Sequence, residues 1–144
     1  MSQPEQTILP LSAEDRQQLI QQRLVAERFL DGDEAHQQYQ TPAGKLGLIQ
    51  AILDHNVFSA EQPYELQCLG VILGDAFVQH LGMEWMAVDD EGGHSPAVQM
   101  PRTSILLFPV TMIHRRIIEG QDVNVFGLFN NAVEQVNDLV QNGV

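Results

Sequence analysis

The chain has 144 residues, and its 19 acidic against seven basic side chains give a net charge of -12. Such a surface repels a polyphosphate backbone and argues against nucleic-acid binding. The length suffices for one core without disulfides or a structural metal. With one cysteine, no long apolar run and no basic, apolar leader, the sequence reads as a single soluble cytoplasmic domain over residues 1–144, with no membrane association.

Met1 to Leu11 is polar, contains Pro4 and Pro10, and shows no apolar period, which predicts a loosely held, disordered tail. Ser12 then fits the cap of a first helix running to about Leu30, with Glu14 and Asp15 placing negative charge in its first turn. Ile20 and Leu24 mark its apolar face, and Leu19, Ala26 and Leu30 widen it. Gln17, Gln18, Gln21, Gln22 and Arg23 are assigned to the wet side. Asp31 to Glu34 reads as a solvated turn, since a calcium loop needs more ligands than these acids and His36 offer.

Thr41-Pro42 has the form of a cap followed by proline at the first helical position, opening a second helix with Leu46, Ile49, Ile52 and Leu53 inside. Gly44 and Gly47 weaken that helix by about 1 kcal/mol each. Ser59 to Pro63 is a connector, with Ser59 and Gln62 as a capping box or Pro63 opening the next helix. The third helix, Tyr64 to Leu81, has the clearest stripe: Leu66, Leu69, Leu73, Phe77 and Leu81. Gly70 and Gly74 lie one turn apart on it and predict close approach by another backbone, within the chain or across a homodimer. Asp75 sits among Val71, Ile72 and Val78, so its carboxylate calls for an arginine, such as Arg102, or a backbone donor. Cys68 suits an inert, buried hydrophobe.

Beyond Gly82 the period becomes that of strands. Glu84 to Val88, a turn at Asp89 to Ser95, and Pro96 to Met100 predict a hairpin, its acidic tip read as solvated and not as a metal site. Ser104 to Phe108, apolar on both faces, predicts a central or doubly covered third strand. Pro109 opens a helix with Val110, Ile113 and Ile117 inward, and Gly120 stops it. The last helix starts at Asp122 or Asn124 and carries a regular stripe from Val125 to Val140. The predicted class is α+β, a small antiparallel sheet of about three strands against five helices in the order α-α-α-β-β-β-α-α.

Leu69 to Asp75, Glu84-Trp85, Asp89 to Gly92, Pro101 to Ser104 leading to Phe108-Pro109, and Thr111 to Ile113 with Arg116 together resemble the bacterial family called domain of unknown function 3806, over roughly residues 60–130. The resemblance implies a compact bacterial domain and no particular activity. Arg102 departs from the pattern, where a small residue such as glycine is expected.

Two classes of function follow. There is no nucleophile elbow, no phosphate-binding glycine loop, no paired His or Cys at zinc spacing and no cofactor motif, so the preferred reading is a protein-interaction or adaptor module whose acidic surface meets a protein partner. The alternative is a sensor or enzyme for a small molecule or anion. Its cleft would gather Asp75 as base, Trp85 as stacking wall, Thr111, His114, and Arg116 as anion clamp. Met100 to Ile118 contains three arginines, His114 and no acid, which makes it the cationic part of an acidic chain. Arg115 and Arg116 also suit the C-terminus of their helix.

Overall fold

The computed structural model describes residues 6–143. In chain order the elements are β1 (Thr7–Pro10), α1 (Ala13–Glu27), α2 (Gly32–Tyr39), α3 (Pro42–Asp54), α4 (Pro63–Leu81), β2 (Glu84–Asp90), β3 (Gly93–Gln99), β4 (Leu106–Leu107), a single 3-10 turn (Pro109–Thr111), α5 (Met112–Ile118) and α6 (Val125–Gln141). The class is α+β, with four antiparallel strands in the order β1-β2-β3-β4.

The core is built around α4, which packs against α1, α3, α5, α6, the 3-10 turn and the sheet. Its stripe behaves largely as the spacing predicts: Leu66, Leu69, Leu73 and Phe77 are fully buried, while Leu81 at the end of the helix is partly buried against the core. Ile49 and Ile52 of α3, Ile113 of α5 and Phe129 of α6 complete the same core. Phe77 and Phe129 stack with centroids 4.9 Å apart. Among the described residues no helix is long and apolar enough to cross a membrane.

Several helix ends follow from local chemistry. Ser12 and Asp15 form a reciprocal capping box on α1, Thr41 Oγ1 accepts the Gly44 N–H with Pro42 at the first helical position of α3, and Asn124, not Asp122, caps α6. Pro63 opens α4, while Ser59 and Gln62 bond to each other just ahead of it. Gly82 ends α4 with φ at +73°, a left-handed cap suited to glycine.

Five expectations are corrected. The predicted loose tail of Met1 to Leu11 falls partly outside the described residues, but Thr7–Pro10 is β1, paired from Thr7↔Asp89 to Pro10↔Met86. Its order comes from backbone pairing to β2, which needs no apolar period. Asp31 to Glu34 is no mere turn, because Gly32–Tyr39 forms α2, a short helix whose one buried side chain is Tyr39.

On α1 the buried residues are Leu19, Gln22 and Ala26, whereas Ile20 and Leu24 are exposed. Gln22 is thus buried and Arg23 partly so, on the side of α1 that faces the core and not the expected wet side. Asp75 of α4, which holds Arg23, and a groove lined by Gln22 turn that face inward.

In the hairpin the ladder runs on to Asp90↔Gly93, leaving Glu91 and Gly92 as a two-residue tip. Asp89 and His94 thus face each other as strand residues. The third predicted strand shrinks to Leu106–Leu107 at the sheet edge, because the chain is still turning through Thr103, whose hydroxyl accepts the Ile105 N–H, and Pro109 stops it soon after.

Candidate functional site

Asp75 projects from α4 at the level of Gly74, toward α1 and β2. Arg23 grips it with two hydrogen bonds, Nε to Oδ2 at 2.7 Å and Nη2 to Oδ1 at 2.9 Å. The Trp85 indole N–H donates to the same Oδ1 at 2.9 Å. The partner is Arg23, not the expected Arg102. Arg102 is exposed in a turn at φ +64°, a backbone state that favours glycine and accounts for the small residue expected there.

This pair belongs to a larger polar network. Tyr39 donates to Glu27 Oε2 at 2.7 Å, and the buried Lys45 ammonium donates to the Tyr39 carbonyl at 2.8 Å while lying 4.7 Å from the centre of its ring. Burial, then the Glu27 hydrogen bond, raises the Tyr39 phenol beyond its ordinary range. Burial lowers Lys45, and the Asp75 hydrogen bond raises Arg23 against its own burial. Two cations and two anions balance here, and they tie α1, α2, α3, α4 and β2 together. Both carboxylate oxygens of Asp75 are occupied, so the group is suited to holding the fold and poorly suited to accepting a substrate proton.

The glycines of α4 explain how β2 and the 3-10 turn come so close. A Cβ on Gly70 would stand 2.6 Å from the Pro109 carbonyl oxygen, and one on Gly74 would overlap the Trp85 ring. The expected close approach is internal to the chain.

The five residues of the predicted cleft do not share one recess. Trp85 borders a shallow recess with Arg16, Ile20 and Arg23. Arg116 borders another with Asp122 and Asn131, and its Nη1 donates to the Met112 carbonyl at 3.0 Å. Thr111 lines a third, and His114, half-buried on α5, lines none of these three. Only Asp75 and Trp85 of the five are joined by a hydrogen bond.

The recess that holds Thr111 is a groove of about 710 Å³. One wall is polar: Gln18 and Gln22 from α1 and Gln67 from α4. The other carries Leu106, Leu107 and Phe108 from the sheet edge, then Val110 and Met112. Asp90, Gly92 and Ser95 of the hairpin form part of its border, as does Arg115 of α5.

Gln22 is the most telling residue of the wall. It is 5% exposed, yet its amide atoms are not sealed off without a partner, and no partner among the described residues holds them. They remain accessible from the groove that the residue lines. Composition alone marks it as a wet-side glutamine. Its spacing of three from Leu19 and four from Ala26 was the signal that it faces inward.

Among the described residues no group of three or more His, Cys, Asp or Glu is arranged to hold a metal. Cys68 is buried, and burial raises its thiol to about 11.

The family model described as Domain of unknown function (DUF3806) matches residues 45–129, from α3 into α6. The chain belongs to this family. The DUF3806 segment contains Gly70, Gly74, Asp75, Trp85 and Pro109, while Arg23, Gln18 and Gln22 precede it. A crystal structure from Bacteroides thetaiotaomicron VPI-5482 at 1.50 Å resolution is similar in fold, with a TM-score of 0.72 and 16% identity. The similarity covers 90% of this chain and 48% of that one, so the present chain spans about half the length of its structural neighbour. No curated protein matches the chain.

Proposed function

We propose that this DUF3806 domain is a protein-interaction module that takes an extended segment of a partner polypeptide into the groove between α1, α4 and the sheet edge. The observation that carries this reading is Gln22, a residue only 5% exposed whose side-chain amide stays accessible, has no hydrogen-bond partner among the described residues, and lines the same groove as Leu106 and Leu107. A carboxamide offers a donor and an acceptor side by side, the complement of a peptide unit's C=O and N–H. Gln18 and Gln67 repeat that chemistry along the groove, while Leu106, Leu107 and Phe108 offer contact for alternate apolar side chains.

The sheet edge also favours an extended occupant. β4 pairs with Val98 and Gln99 alone, leaving the hairpin end of the seven-residue β3 uncovered by it. Pro96 lies in that stretch and cannot donate, a device that blunts edge-to-edge aggregation while leaving carbonyl acceptors. A net charge of -12 steers a positively charged partner toward the domain and makes its association rate salt-dependent.

The reading of a catalytic or sensory cleft around Asp75, Trp85, Thr111, His114 and Arg116 has less support, since Arg23 and Trp85 occupy the Asp75 carboxylate. The test is selection from a random peptide display library on the immobilised domain. Peptides enriched on the wild type and lost on folded Gln22→Ala and Leu107→Asp variants support the groove. Enrichment that survives both substitutions removes it.

A further inference from the structure

Resting on the groove reading, we infer that His94 is a proton-operated latch between the glutamine wall of the groove and its hairpin rim. Its imidazole stands between two carboxylates from different elements: Nε2 lies 2.9 Å from Asp15 Oδ1 of α1, and Nδ1 bonds Asp89 Oδ1 across the strand pair.

The two links do different jobs. Asp89 and His94 are already held in register by the β2–β3 ladder. The Asp15 link, in contrast, joins the hairpin to the first turn of α1, and Asp15 is itself fixed there by the Ser12 N–H at 2.9 Å. One turn along α1 from Asp15 is Gln18, a groove residue. Beside Asp89 and His94 stand Asp90, Gly92 and Ser95, also groove residues. The latch therefore connects the glutamine wall to the hairpin rim.

An imidazolium donates from both nitrogens and satisfies both carboxylates. Neutral imidazole has one N–H, and its other nitrogen then presents a lone pair to a carboxylate. The ladder keeps the Asp89 contact in place, so deprotonation falls on the Asp15 contact and frees the hairpin rim from α1. Asp15 from α1 and Asp89 from β2 face the ring, Asp90 and Glu91 continue the hairpin, and the described part of β1 brings no titratable side chain. Hydrogen bonds to Asp89 and then to Asp15 raise the His94 pKa above its ordinary value of 6.5, so the release comes at higher pH than the deprotonation of a free imidazole.

The direct test is a pH titration of the ligand-free, isotopically labelled domain by NMR, following the His94 ring and the side-chain amides of Gln18, Gln22 and Gln67. The amide signals are expected to shift with the midpoint of His94, above about 6.5. That inflection should vanish in His94→Gln and move to lower pH in Asp89→Asn. Glutamine signals that stay constant through the His94 midpoint, or that inflect identically in His94→Gln, overturn the latch. Because no peptide is added, this outcome is independent of whether the groove binds one.

Discussion

The Trp85 indole occupies the space that a side chain at Gly74 would need, and Pro109 closes it from another side: a Cβ on Gly74 would overlap the ring and lie 2.9 Å from Pro109 Cγ. The absence of one methyl group thus lets helix α4, strand β2 and the 3-10 turn meet at one place. It also brings the indole N–H within reach of Asp75.

Gly74→Ala is expected to destabilise the domain by about 1–3 kcal/mol through overpacking, lowering the melting temperature by roughly 3 °C per kcal/mol. Gly70→Ala should behave alike, as the Pro109 backbone oxygen cannot give way cheaply. Gly47→Ala is the control, because a Cβ there meets nothing within 4 Å on α3 and should stabilise by up to about 1 kcal/mol. Thermal melts of the three variants check the sign of each.

Removing one partner of the Arg23–Asp75 pair leaves a half-buried charge beside Trp85. Arg23→Gln and Asp75→Asn should each cost about 2 kcal/mol in urea unfolding. The double variant should lose less than the sum, with a coupling of about 1–3 kcal/mol. Strict additivity contradicts the network.

The His94 latch also has a signature in stability. Its folded-state pKa is raised above 6.5 by Asp89 and Asp15, so the stabilisation is fully present below 6.5 and is lost as pH rises through the folded value. Wild type minus His94→Gln, measured by chemical denaturation at several pH values, should therefore shrink on going from pH 6 to pH 9.

Cys68 should resist thiol reagents. Burial first of all holds its pKa at about 11, so at pH 8 the native protein should react at a rate set by opening, and rapidly in denaturant. Fast modification under native conditions would place the thiol at the surface.

Much of the fold was legible because its signals are local. Ser12, Thr41-Pro42 and Asn124 mark helix starts through groups three residues away, and the α4 stripe, its glycines and the hairpin are written in spacing. α2 was hidden because Tyr39 is its one buried side chain, which gives no period. β1 was hidden because a short edge strand is specified by its neighbour's backbone.

The site was harder to read for a related reason. Arg23 and Gln22 look like the wet side of α1, yet Arg23 is drawn inward by Asp75, 52 residues away. Gln22 faces a groove whose other wall lies more than 80 positions further along the chain. The pairing of Asp75 with an arginine was expressible in sequence, while the identity of that arginine was set by tertiary structure. The same holds for Thr111, whose groove partners are glutamines on distant helices and not His114 or Arg116.

The most direct measurement is NMR shift mapping of the labelled domain with a peptide enriched from the display library. The groove account predicts saturable shifts at the Gln18, Gln22 and Gln67 side-chain amides and at the backbone of Leu106 to Met112, with binding weakened at least tenfold by Gln22→Ala. Shifts that instead cluster on the exposed α1 face of Ile20 and Leu24, or on α6, with the glutamine amides unmoved, would contradict it.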